Sequence, residues 1–138
     1  MPIDLIDTMI TVLHVDDEPV LSDITKLSLE RSGKYCVDTV NSARTALDMI
    51  QTGGYECIIS DYEMPDMNGL ELLKAVRSIN PDIPFILFSG RGRESVIIEA
   101  LNSGADFYLQ KGGEPRSQFA ELEHKITYAI EQHNTKLA

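Results

Sequence analysis

Four apolar runs in this chain end on residues whose side chains do chemistry. Thr11–Val15 (TVLHV) ends on Asp16-Asp17, Cys57–Ser60 (CIIS) on Asp61, Phe85–Phe88 (FILF) on Ser89, and Asp106–Gln110 (DFYLQ) on Lys111. If these runs are parallel strands, all four ends lie on one edge of a sheet, where open α/β folds bind ligands. Three carboxylates gathered there repel one another unless a cation joins them. A hard divalent ion with oxygen ligands resolves the repulsion, and Mg²⁺ suits a site of a few carboxylates plus a phosphate. One carboxylate then remains free to attack phosphorus and form an acyl phosphate. The ammonium of Lys111 and the hydroxyl of Ser89 are the positive and hydrogen-bonding partners that a transferring phosphoryl group needs.

Singly, each residue has a plainer reading. Asp16-Asp17 could cap a helix and meet its dipole, Asp61 could cap the turn it opens, Ser89-Gly90 could be an ordinary turn, and Lys111 a solvated loop lysine. Their convergence at successive strand ends favours the chemical reading. His14, inside the first strand, is read as packing or hydrogen-bonding, because no second histidine is spaced to join it as a ligand.

The elements that position these groups follow from periodicity. After Pro19, which suits a first helical turn, Val20, Leu21, Ile24, Leu27 and Leu29 recur at helical spacing until Gly33. Tyr35–Val40 alternates as a strand, and Ser42 caps a helix faced by Ala43, Ala46, Leu47 and Ile50 and stopped by Gly53-Gly54. Beyond Asp61, the loop through Pro65 and Asn68-Gly69 leads to a helix outlined by Leu70, Leu72, Leu73, Val76 and Ile79. Glu94–Ser103 is a fourth helix, with Val96, Ile97, Ala100 and Leu101 on one face. A last helix runs from about Ser117 to His133 over Phe119, Leu122, Ile126 and Ala129-Ile130. Five strands alternating with five helices through short connections predict a parallel sheet covered on both faces.

The 138 residues fit one domain, with a core from about residue 10 to 133, a short N-terminal extension and a polar C-terminal tail. Formal net charge is −10, which argues against direct nucleic-acid contact. No apolar run reaches the ~18 residues of a membrane span, and Met1–Ile10 lacks a basic leader, so a cytoplasmic location is expected. Cys36 and Cys57 sit in apolar runs and read as free buried thiols.

The combination VDDEP (Val15–Pro19), SDYEMPDMNG (Ser60–Gly69), FSG (Phe88–Gly90) and YLQK (Tyr108–Lys111) resembles the receiver domains of two-component response regulators, over nearly the whole chain. The resemblance implies a flavodoxin-like, doubly wound three-layer sandwich with a five-stranded parallel sheet in the order 2-1-3-4-5. It implies Asp61 as the phosphoryl acceptor, and Asp16, Asp17, Asp61 and the main-chain carbonyl of Glu63 as Mg²⁺ ligands. It also implies Ser89 as the switch hydroxyl, Lys111 as the phosphate-pairing lysine and Tyr108 as the switch aromatic, turning inward when Ser89 moves. The implied donor is a histidine kinase or phosphotransfer protein. The implied output is a change in the face built from the fourth helix, fifth strand and last helix, which could also mediate homodimerisation. Such a domain phosphorylates and dephosphorylates itself and is a switch rather than a metabolic enzyme.

Two departures from the family pattern stand out. Proline usually follows the lysine, commonly through a cis bond, whereas Gly112-Gly113 follows Lys111 here, which predicts a trans bond and a looser approach to the last helix. The loop after Ser89 is GRGR, and Glu63 and Arg91 stand two residues past Asp61 and Ser89. They either pair across the mouth of the site and screen it from water or are two solvated charges. Two other classes of function compete: a phosphatase or phosphotransferase, with Glu63 pressed into service as general acid/base but no insertion to form a cap, and an interaction module with a vestigial site. Whether the chain acts alone or belongs to a larger regulator is open.

Overall fold

A computed structural model describes residues 9–90 and 93–137. Five strands alternate with five helices: β1 (Ile10–Val15), α1 (Pro19–Glu30), β2 (Tyr35–Val40), α2 (Ala43–Thr52), β3 (Cys57–Ser60), α3 (Gly69–Ile79), β4 (Phe85–Ser89), α4 (Glu94–Asn102), β5 (Phe107–Gln110) and α5 (Pro115–Leu137). The strands form one parallel sheet in the order β2-β1-β3-β4-β5. β3 and β4 are buried at every residue, which is why they read as unbroken apolar runs rather than alternating ones.

Side chains alternate across the sheet and build two cores. Leu13, Val15, Ile58, Phe85 and Leu87 point to one face and pack with Ala46, Leu72, Leu73, Val76 and Ala100 of α2, α3 and α4. Val12, Val37, Cys57, Ile59, Ile86 and Phe88 point to the other and pack with Leu29 of α1 and Leu122 and Ile126 of α5. Cys57 is a buried free thiol, as expected, while Cys36 is free but only half-buried.

The helix ends follow their local chemistry. The Ser42 hydroxyl accepts from the Thr45 N–H, and Gly53 ends α2 at φ 82°, a conformation that favours glycine. Asn68 and Glu71 form a reciprocal capping box at the start of α3.

The apolar residues of α1 that recur at helical spacing do not all turn inward. Val20, Ile24 and Leu27 are 70%, 43% and 66% exposed, while Ser22, Thr25 and Leu29 are buried. Spacing identifies residues that share a face but not which face meets the sheet. Here the small Ser22 and Thr25 take the inward positions. Leu101 also leaves its assigned face: it is 46% exposed, and within α4 only Ala100 is fully buried.

Candidate functional site

β1 and β3 are neighbours in register, Val15 opposite Ser60, so the residues that follow them emerge side by side. The Asp16 N–H donates to the Val40 carbonyl at 3.0 Å and the Asp61 N–H to the Val15 carbonyl at 2.9 Å, which fixes both backbones at the sheet edge. Asp16 is 1% and Asp61 6% exposed, whereas Asp17 is open to solvent. Asp16 Oδ1 accepts from the Glu18 N–H at 2.9 Å, and Asp61 Oδ1 accepts from the Tyr62 N–H at 2.7 Å. One oxygen of each buried carboxylate is thus oriented by backbone, leaving the other for chemistry.

Lys111 reaches those other oxygens. Its Nζ donates to Asp16 Oδ2 at 2.7 Å and stands 3.5 Å from Asp61 Oδ2, with the lysine side chain only 14% exposed. The ammonium also lies 5.4 Å from the centre of the Phe88 ring. Lys111 thus meets two members of a cluster of three carboxylates, for Asp16, Asp17 and Asp61 bring oxygens within 4.8 Å of one another. An excess of negative charge carried on hard oxygen donors fits a small divalent cation such as Mg²⁺.

These groups open into a cleft of about 760 Å³ lined by Asp17, Asp61, Glu63, Met64, Ser89 and Lys111 among others. Ser89, buried at the end of β4, reaches it from the next strand. The Tyr108 hydroxyl donates to the Ser89 carbonyl at 3.3 Å, and its half-buried ring packs on the α2–α3–α4 side of the sheet. All the sequence-selected groups converge on this edge except that Arg91, the suggested partner of Glu63, lies outside the described residues.

The family model described as "Response regulator receiver domain" matches residues 12–123. The chain belongs to the receiver domains of two-component response regulators. Its receiver sequence is 31% identical over 126 residues to the response regulator SaeR of Staphylococcus aureus, covering 91% of this chain and 54% of that protein. The chain thus spans about half the length of the curated relatives it matches. Among solved structures, a CheY-like receiver domain protein of Methanospirillum hungatei JF-1 superposes with TM-score 0.80 at 29% identity, over 90% of this chain and 98% of that one. Chemotaxis response regulator CheY4 of Vibrio cholerae gives 0.76 at 32% identity, over 86% and 99%. The beryllofluoride-activated NtrC4 receiver domain dimer gives 0.79 at 28% identity, over 89% and 98%.

Where the receiver pattern is broken, the backbone differs as the residues require. No peptide bond among the described residues is cis, so Lys111–Gly112 is trans, and Gly112 takes φ 114° in the positive-φ range that favours glycine.

Three features of the receiver site escaped motif reading. A Cβ at Gly69 would run into the Asp61 carbonyl oxygen, so glycine is needed there for close approach as well as for turning into α3. Asp66 latches the β3–α3 loop to α2, accepting from Ser42 Oγ at 2.8 Å and the Arg44 N–H at 3.1 Å. Burial pushes its carboxyl up, but the Arg44 and Ser42 donors outweigh that and bring it down to about 2. The third is His14, fully buried with its Nε2 3.9 Å from Asp16 Oδ2. Burial pushes the imidazole down to about 4 against the pull of Asp16, with Lys111 acting in the same downward direction, so the ring is neutral at physiological pH. Only a resolved side-chain environment reveals these: glycine, aspartate and histidine each have many uses at such positions.

Proposed function

We propose that Asp61 accepts a phosphoryl group from a phosphohistidine on a partner histidine kinase or phosphotransfer protein, in a Mg²⁺-dependent reaction, and that this sets the conformation of the α4–β5–α5 face. The observation that carries the reading is the pairing of Asp61 Oδ2 with Lys111 Nζ at 3.5 Å inside an acidic cleft. In the transfer, an Asp61 carboxylate oxygen bonds to phosphorus while the P–N bond to the donor imidazole breaks, the imidazole leaving with the electron pair. Lys111 is placed to follow the charge onto the phosphoryl oxygens, and the Ser89 hydroxyl to donate to one of them. Asp16, Asp17, Asp61 and the Glu63 carbonyl would hold Mg²⁺, which when bound offsets the crowded carboxylates and stabilises charge on the phosphoryl group.

Movement of Ser89 toward the phosphoryl group carries the carbonyl that Tyr108 donates to, which couples the site to β5. Ile98, Leu101 and Tyr128 are about half exposed on α4 and α5 and offer apolar surface for a partner or a second copy. The exposed stripe Val20, Ile24 and Leu27 begins beside Leu21 at the cleft and gives a phosphodonor protein an apolar surface next to Asp61. We place the domain in the cytoplasm without direct nucleic-acid contact, in keeping with its net charge of −10.

The test is incubation with a small phosphodonor, with and without Mg²⁺. One slowly lost label per chain, present only with Mg²⁺, is expected. Rapid multiple turnover of the donor would replace the switch with an enzyme, and absence of label would leave an interaction module.

A further inference from the structure

His14 lies near the end of β1, two residues before Asp16, and its ring turns toward the Asp16 carboxylate. It is fully buried, and neither ring nitrogen has a hydrogen-bond partner among the described residues. A leucine or valine would fill such a site without burying two unpaired nitrogens. The imidazole therefore calls for a state of the protein in which its N–H is used. Its surroundings identify one. Asp16 Oδ1 is occupied by the Glu18 N–H at 2.9 Å, while Oδ2 relies on Lys111 Nζ at 2.7 Å. Nε2 of His14 waits 3.9 Å from that same Oδ2.

We propose that His14 is a positioning residue for Asp16: it takes over Oδ2 as an N–H donor when Lys111 turns to the phosphoryl group, and keeps Asp16 oriented as a metal ligand. This rests on the reading of the cluster as a Mg²⁺ and phosphoryl site. Lys111 brings an ammonium into the cleft beside Asp61, and the proposed function assigns that ammonium to the phosphoryl oxygens. Its departure strips Asp16 Oδ2 of its donor in a buried setting. Closing the gap to His14 takes a shift of about 1 Å to reach hydrogen-bond distance. Outer partners of this kind commonly hold metal ligands in place, and their loss typically weakens metal affinity about 10–100-fold.

The test compares wild type with His14→Leu, which keeps bulk without a donor, and His14→Gln, which retains an N–H near the Nε2 position. Mg²⁺ affinity is measured calorimetrically with beryllofluoride present as a stand-in for the phosphoryl group that draws Lys111 away, alongside thermal stability without Mg²⁺. The expected result is about tenfold or greater weakening in His14→Leu, substantial recovery in His14→Gln, and no loss of Mg²⁺-free stability in His14→Leu. Equal affinity in wild type and His14→Leu overturns the proposal, as does equal weakening in both variants. Wild type that binds no Mg²⁺ at millimolar concentration overturns the metal reading itself, and the proposal with it. A second measurement needs no variant. Ring ¹⁵N shifts of wild-type His14 should identify the Nε2-protonated tautomer, and a ring protonated only on Nδ1, with no proton to give Asp16, overturns the proposal.

Discussion

Replacing Lys111 with methionine removes an ammonium while leaving a stem of similar length against Phe88. Without Mg²⁺, that ammonium is the cation paired with Asp16 and Asp61, and the pair with Asp16 is almost fully screened from solvent, at 14% and 0% side-chain exposure. A hydrogen bond to a charged group contributes about 1.5–3 kcal/mol. The 2.7 Å bond to Asp16 merits that in full, and the 3.5 Å approach to Asp61 a fraction more. We therefore expect Lys111→Met to lose about 2–4 kcal/mol without Mg²⁺, a fall in Tm of roughly 10 °C for a chain of this size. Mg²⁺ should then stabilise the variant more than wild type, because the cluster has lost its internal cation. At a hundredfold excess over its Kd, a ligand adds about 2.7 kcal/mol, and the variant's tighter site should exceed wild type at the same concentration. Circular-dichroism melts in chelator and in a Mg²⁺ series measure both quantities. Equal melting in chelator, or equal Mg²⁺ shifts for the two proteins, would refute the view that Lys111 balances this cluster.

Other expectations follow from single contacts. Gly69→Ala drives a Cβ into the Asp61 carbonyl, so chemical denaturation should report a loss above about 2 kcal/mol, and a variant as stable as wild type would contradict the close approach. Asp66→Ala releases the loop from α2 and should cost about 1 kcal/mol at neutral pH. Acidification should narrow that difference, since the depressed Asp66 carboxyl stabilises the fold above its ordinary value near 3.8 and loses this as pH falls toward 2. Tyr55 is pushed from 10.0 up to about 12, by burial first and then by its bond to Asp38. A raised value means stability present below pH 10 and lost as pH rises toward 12. Wild type should therefore lose more stability than Tyr55→Phe over that range, and one tyrosinate absorbance step should come late.

The strand ends were legible because a buried parallel strand leaves only its exit free for polar residues, and Asp16, Asp61, Ser89 and Lys111 each follow an apolar run. The caps Ser42 and Gly53 were legible for a similar reason, since orphan helix-end groups demand particular residues. The orientation of α1 was not. Val20, Ile24 and Leu27 face solvent, while Ser22 and Thr25 join Leu29 against the sheet, so hydrophobicity alone did not mark the inward face. Arg77 illustrates a second limit: its guanidinium donates to the carbonyls of Ile83 at 2.7 Å and Gly104 at 2.7 Å, tying α3 to the loops that lead into β4 and β5. Nothing in its sequence neighbourhood distinguishes it from a surface arginine, because the bonds that tie it down go mainly to backbone carbonyls, which carry no residue signature. His14 was legible as a packing residue, but its proximity to Asp16 Oδ2 depends on how the rings and strands settle in three dimensions.

The central claim is that Asp61 is the phosphoryl acceptor of a Mg²⁺-dependent switch. The most direct measurement is peptide mapping by mass spectrometry after phosphodonor treatment with Mg²⁺ and reductive trapping of the acyl phosphate. The account predicts a single trapped site at Asp61, absent in chelator and absent in Asp61→Asn. A trapped site at Asp16 or Asp17, or labelling that persists in Asp61→Asn, would contradict it.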